Sequence, residues 1–287
     1  MQDNTVFDRR PSPIAGSWYP GNALKLRTMI EGFLGKAPTL RFEGRLQGLI
    51  VPHAGYMYSG QTAAYAFKAL EGEKFSKVVV ISPSHQAFRA PLLTSGHAAY
   101  TTPLGDLPID RESLNTIDGL LQGDGLALTP VRNDREHSLE IELPFLQATL
   151  KEPFTLVPIM MMDQRQSVAK ALYQALTSWM KGLPSTENVL LVASSDQSHF
   201  HPQGQAEVMD HAIIKALEAQ DTDLLYRLDA EGKGEACGLG PMVTVILTCQ
   251  ALGKTELQIC DHRTSAAATG DESSVVGYTS AILTLNP

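Results

Sequence analysis

The sequence predicts a single-domain α/β three-layer sandwich, a mainly parallel sheet flanked by helices. Three observations predict it. Short, continuous β-branched runs recur along the chain, the pattern of strands buried on both faces. Helical periodicities separate several of these runs, which implies βαβ units. No Pro/Gly/Ser-rich linker breaks the 287 residues, so one domain over 1–287 is preferred to the two that length alone allows.

In chain order, residues 1–12 read as a polar tail, and 13–20 as an ordered loop carrying Trp18 and Tyr19. A helix follows, with Leu26, Ile30, Phe33 and Leu34 on one face and Gly35 near its end. The runs at 48–52, 78–82, 154–159 and 189–193 read as buried strands. Between and after them, helices are expected over 61–70, 164–180, 205–217 and 242–252. In 164–180, Val168, Leu172, Ala175, Leu176 and Trp179 mark the apolar face. Pro144 marks a further helix start, and 275–285 closes the chain as a strand.

Composition narrows the function. Hydrophobic residues make up 43% of the chain and charged residues 19%, enough for a large core. The net charge of -8, without a basic stripe, argues against nucleic acid and against an anionic membrane surface. No run approaches the roughly 18 apolar residues of a membrane helix. The first ten residues lack the apolar stretch of a secretory signal. Three cysteines, Cys237, Cys249 and Cys260, form no CxxC pair. A reducing cytoplasm is the expected compartment.

The chemistry gathers where strands end. The first ends in Pro52-His53-Ala54-Gly55-Tyr56, the second in Ser82-Pro83-Ser84-His85, and a later one in Ser194-Ser195-Asp196-Gln197-Ser198-His199-Phe200-His201. Open α/β sheets bind ligands outside the carboxyl ends of their strands. A lone histidine there is more often a capping residue than a ligand. Three at equivalent positions point to one site, and imidazole is the commonest metal ligand. Asp196, three residues before His199, is placed to orient it or to carry a proton.

Cys237 lies in a Gly-rich turn just before the apolar helix at 242–252. A helix N-terminus favours thiolate, the form that binds metal or attacks carbon; a small residue in a tight turn is the plainer reading. Cys249 and Cys260 read as inert core residues, and Met160, Met161 and Met162 as core rather than a copper site. His97, His211 and His262 read as structural. In Glu136-His137-Ser138-Leu139-Glu140, His137 and Glu140 fall in the approach to the helix at Pro144, where acidic residues also suit the dipole.

These segments, with Ala15-Gly16-Ser17-Trp18-Tyr19 and Cys237-Gly238-Leu239-Gly240-Pro241, resemble the successive motifs of the MEMO family. They occur in order over nearly the whole chain. The family is named for a mediator of receptor-driven cell motility, and its microbial members belong to the AmmeMemoRadiSam gene set. The resemblance implies a fold similar to class III extradiol dioxygenases, where two histidines and a glutamate hold ferrous iron. It further implies His53, His85 and Cys237 as the metal set, with thiolate in place of carboxylate. Asp196 and His199 would complete the pocket, with His137, Glu140 and His201 around it. Trp18 and Tyr58 match aromatics at the family's pocket mouth. The cysteine puts ring cleavage itself in doubt.

The expectation is a metal-dependent oxidoreductase binding Fe2+, then Cu, then Zn, acting on a small molecule or peptide. His199 would be general acid/base, held by Asp196. The gene-set context adds a radical-SAM partner. One alternative is a hydrolase, with Cys237 as nucleophile and His85 or His199 as base, or with zinc activating water. The other is a peptide-binding module using Trp18 and Tyr58 in a vestigial pocket.

Overall fold

The structure, a computed structural model, describes residues 8–286. The described chain begins with β1 (Arg9–Arg10), α1 (Ala23–Lys36), β2 (Arg45–Val51), α2 (Tyr56–Phe67) and β3 (Lys77–Pro83). It continues through β4 (Leu92–Ser95), β5 (Ala99–Thr102), β6 (Gly105–Pro108), α3 (Arg111–Leu121), β7 (Leu128–Val131) and α4 (Leu143–Thr149). Next come β8 (Thr155–Met161), α5 (Gln166–Gly182), β9 (Val189–Ser194), β10 (His199–His201), α6 (Gln203–Glu218) and α7 (Thr222–Ala230). The chain closes with α8 (Leu239–Leu252), β11 (Lys254–Thr264), α9 (Ala266–Thr269) and β12 (Val275–Asn286).

One sheet dominates, in the order β10-β12-β2-β9-β3-β8-β4-β7, with β11 added alongside β12. Its centre, β2-β9-β3-β8, is parallel. Every residue of β9 and all but the first of β2 and β3 are buried, as continuous apolar strands covered on both faces must be. Helix α8 packs on β9, β2 and β3, with α5 against it, while α2, flanked by α1 and α4, lies on β2, β11 and β12.

The sheet is mixed, which corrects the expectation of a mainly parallel one. β12 runs antiparallel to β2, β11 and β10, and β4 runs antiparallel to β8. Strand β11 escaped the sequence reading because Lys254, Glu256 and Gln258 alternate with half-buried Thr255, Leu257 and Ile259. It is a half-exposed antiparallel strand, without the continuous apolar run of the centre.

The polar tail is also corrected, from Asp8 onward; residues 1–7 lie outside the described residues. Arg9 and Arg10 pair in parallel with Ala99 and Tyr100 of β5. The Arg10 side chain is buried, with Nη2 2.6 Å from Asp134 Oδ1 and Nη1 2.5 Å from Glu140 Oε2.

No helix is long and apolar enough to cross a membrane among the described residues.

Candidate metal centre

Three neighbouring parallel strands deliver the site. β2 ends just before His53, β3 just before His85, and between them β9 ends at Ser194, leading into Asp196. Cys237 enters from across the site, on the turn before α8. Its loop lies against the β9 exit: Cys237 N–H donates to Asp196 O at 3.2 Å, and Asp196 N–H donates to the Cys237 sulfur at 3.2 Å. The next residue must be glycine, because a Cβ on Gly238 would stand 2.2 Å from the Ser194 carbonyl oxygen.

The result is a compact donor set. One ligand atom from each of His53, His85 and Cys237 lies within 4.8 Å of the other two. His53 Nε2 is 3.0 Å from Cys237 Sγ, and its Nδ1 is 2.8 Å from Ser194 Oγ. His85 Nδ1 is 3.0 Å from Glu136 Oε1, so Nε2 is its remaining ring nitrogen. Both rings thus hold one nitrogen on the protein and leave the other for a ligand, the usual arrangement of metal-binding imidazoles. Two imidazoles and a thiol suit Fe, Cu or Zn rather than Mg or Ca.

A second group, His85, Glu136 and His137, also brings ligand atoms within 4.8 Å. Glu136, however, is committed to the protein. It accepts from the backbone N–H groups of His85, His137 and Ser138 as well as from His85 Nδ1. It is a second carboxylate behind the centre that sequence reasoning passed over in favour of Glu140.

Electrostatics favour neutral donors at the floor. Burial, reinforced by neighbouring histidines, holds His53 well below the ordinary imidazole value, and burial takes His137 down to about 4. The hydrogen bond to Glu136 moves His85 the other way. Burial alone would raise Glu136, but His85 and the Ser138 N–H hold it below the ordinary carboxylate range. Asp196 is pushed up to about 7 by burial, against the backbone N–H groups of His53 and Ala54. The expected lowering of the Cys237 thiol is reversed. Burial and the Asp196 carboxyl push it well above its ordinary value, so the dipole of α8 does not by itself give a thiolate.

A model of the family described as "Memo-like protein" matches residues 9–282. The chain belongs to the Memo family. Relatives span most of its length. A MEMO1 family protein of Nitrosopumilus maritimus is 32% identical over 273 residues, covering 94% of this chain and 97% of that protein. One from Thermotoga maritima is 35% identical over 289 residues, covering 96% and 99%. One from Thermotoga neapolitana is 38% identical over 240 residues, covering 82% of each.

Around the floor of this Memo-family site opens a cavity of about 660 Å³, lined by His53, His85, His137, Asp196 and His199 among others. Trp18 packs against His137 in a tilted contact at 4.2 Å between ring centres, and His137 stacks on His85 at 4.7 Å. Trp18, Tyr58 and Phe200 stand exposed at the mouth. Phe200 holds a φ of 63°, a left-handed conformation unusual for a bulky residue, between His199 and His201. The register of β10 against β12 slips there.

Three expected roles change. Asp196 does not orient His199: its Oδ1 accepts from the His53 N–H at 2.7 Å. Glu235 takes that place, with Oε1 3.2 Å from His199 Nδ1 and Oε2 3.1 Å from His201 Nε2. Nothing near His199 in the sequence signals Glu235. His201, so held, is not among the residues lining the cavity. Glu140 turns away from the pocket altogether, to Arg10, Ser12 and Tyr19. The pocket lies on one side of 136–140 and the Arg10 cluster on the other.

Proposed function

We propose that this Memo-family chain is a metal-dependent oxidoreductase whose centre is His53, His85 and Cys237, with Fe2+ as the first choice of metal, then Cu, then Zn. The observation that carries the reading is the convergence of three donor atoms within 4.8 Å, with His53 and His85 lining an open cavity and Cys237 Sγ 3.0 Å from His53 Nε2. A bound ion would supply redox chemistry or Lewis acidity at coordination positions that the three side chains leave open. The protein's own part is to hold the rings, offer aromatic surfaces to a substrate, and move a proton. His199, braced by Glu235, is the group for that proton. Asp196, held near neutrality, is a second proton carrier facing the same space.

Among the described residues no lysine or arginine lines the cavity, so the reading favours an uncharged or cationic small molecule over a phosphorylated one. The similarity to class III extradiol dioxygenases, the cytoplasmic setting and a radical-SAM partner belong to the same proposal.

The exposed Trp18, Tyr58 and Phe200 favour a second reading, a peptide-binding module that uses the mouth rather than the floor. The cysteine-hydrolase reading is weakened by burial of the Cys237 thiol, which raises its pKa and disfavours the nucleophilic thiolate; a zinc hydrolase would use the same donor set.

Elemental analysis of protein purified without oxygen tests the proposal. Near-stoichiometric iron or copper that is lost in Cys237→Ser but kept in Cys249→Ser and Cys260→Ser is the expected result. Peptide capture by a protein that binds no metal would favour the second reading.

A further inference from the structure

Behind His53 lies a buried hydroxyl with more partners than it has protons. Ser194 Oγ is 2.7 Å from the Ser138 carbonyl oxygen, 2.9 Å from Glu142 Oε1 and 2.8 Å from His53 Nδ1. All three side chains, Ser194, Glu142 and His53, are 2% exposed or less. A serine hydroxyl donates once and accepts twice. The Ser138 carbonyl can only accept, and it makes the shortest of the three contacts, so it takes the hydroxyl proton. The other two partners must then donate to the Ser194 lone pairs. For His53 this means a proton on Nδ1. For Glu142 it means a carboxylic acid, because a carboxylate has nothing to donate.

We infer that Glu142 is a neutral carboxylic acid that, through Ser194, fixes His53 in the tautomer whose Nε2 lone pair faces Cys237 and His85. Glu142 and Ser194 are therefore positioning residues for the donor set, and neither touches it at Nε2. The surroundings agree. Burial, with the Asp196 carboxyl nearby, pushes Glu142 well above the ordinary carboxylate range. The alternative proton placement, from Ser194 to a Glu142 carboxylate, would leave two oxygens 2.7 Å apart with no proton between them. It would also bury an anion without a cation, which is costly.

Only the statement that Nε2 faces an ion rests on the metal-centre reading. The protonation pattern is a property of the metal-free protein and is tested there. In full-length protein stripped by a chelator, the infrared difference between wild type and Glu142→Gln at pH 7 should contain a carboxylic-acid carbonyl band. The same difference taken in an Asp196→Asn background removes any contribution from Asp196, whose carboxyl acts electrostatically on Glu142. Nitrogen NMR of the same protein should show His53 protonated on Nδ1. A spectrum with only carboxylate bands at Glu142, or His53 protonated on Nε2, overturns the inference, and the NMR arm needs no variant to fold.

Zinc titration then reads the positioning role. Ser194→Ala should weaken zinc binding by about tenfold or more, the usual loss when a partner behind a metal-binding histidine is removed. Ser194→Thr, which keeps the hydroxyl, should restore it. Unchanged zinc affinity in Ser194→Ala contradicts the positioning role. Wild-type protein that binds no zinc, iron or copper sinks the metal-centre reading while leaving the infrared and NMR results to decide the protonation of Glu142.

Discussion

Two clusters of buried carboxylates, one around Arg10 and one behind the histidines, are built from the same stretch, 134–142, and are stabilised by opposite means. In the first, Asp134 and Glu140 meet a guanidinium, with Arg10 Nε and Nη2 gripping both Asp134 oxygens. In the second, among the described residues, no guanidinium or ammonium is offered. Glu136 is held by three backbone N–H groups and the His85 ring, and Glu142 meets a serine hydroxyl. Glu136, Glu140 and Glu142 are each 1% exposed or less, so depth does not separate them. Their partners do. The first cluster fastens the N-terminal strand to the body; the second lies beside the proposed metal centre, without a lysine or arginine among its described partners.

Removing a partner should therefore cost most on the Arg10 side. Arg10→Met leaves Asp134 and Glu140 buried without their cation, and a loss of about 3–5 kcal/mol is expected, read by chemical denaturation. A loss below about 1 kcal/mol would show that water replaces the guanidinium and that the two clusters are not so different.

On the histidine side the effect should fall on metal rather than on fold. Glu136→Gln keeps the shape but weakens the hold on His85 Nδ1, so metal affinity should drop by about 10–100-fold. Calorimetric titration of stripped protein checks this. Glu140→Gln, although its carboxyl lies in the same stretch, should leave the affinity unchanged.

The smallest effect sharpens the contrast by pH. Burial raises the Glu142 pKa, so above the unfolded value a Glu142 that is protonated, as inferred above, holds in the folded state a proton that the unfolded state has released. Its contribution to stability is fully present below the unfolded value of about 4.3 and declines as pH rises toward the folded value. Relative to Glu142→Gln, wild type should lose up to about 1.4 kcal/mol per pH unit across that window. Parallel stability curves for the two proteins would mean that Glu142 is an ordinary ionised carboxylate.

How much of this was legible follows the same division. His53, His85 and the Asp196 segment could be read because each ends a continuous apolar run, and buried parallel strands place their exits on one edge. Cys237 stood out by its Gly-rich turn. The partners were not legible. Arg10 looks like part of a polar tail because its two carboxylates are 124 and 130 residues away. Glu235 braces His199 from 36 residues on, so the nearer Asp196 was the natural but mistaken choice. Glu136, Glu140 and Glu142 share one local pattern, and only their three-dimensional neighbours assign them different states. Periodicity reports which side of an element is buried; it carries no information about which donor waits there.

The central claim is that His53, His85 and Cys237 form one metal centre. X-ray absorption at the edge of the bound metal, on protein purified without oxygen, tests it most directly. The account predicts one sulfur at about 2.3 Å, the distance typical of zinc–thiolate bonds, together with imidazole nitrogens, and loss of the sulfur shell in Cys237→Ser. A metal held by nitrogen and oxygen alone, with the same spectrum in Cys237→Ser, would contradict it.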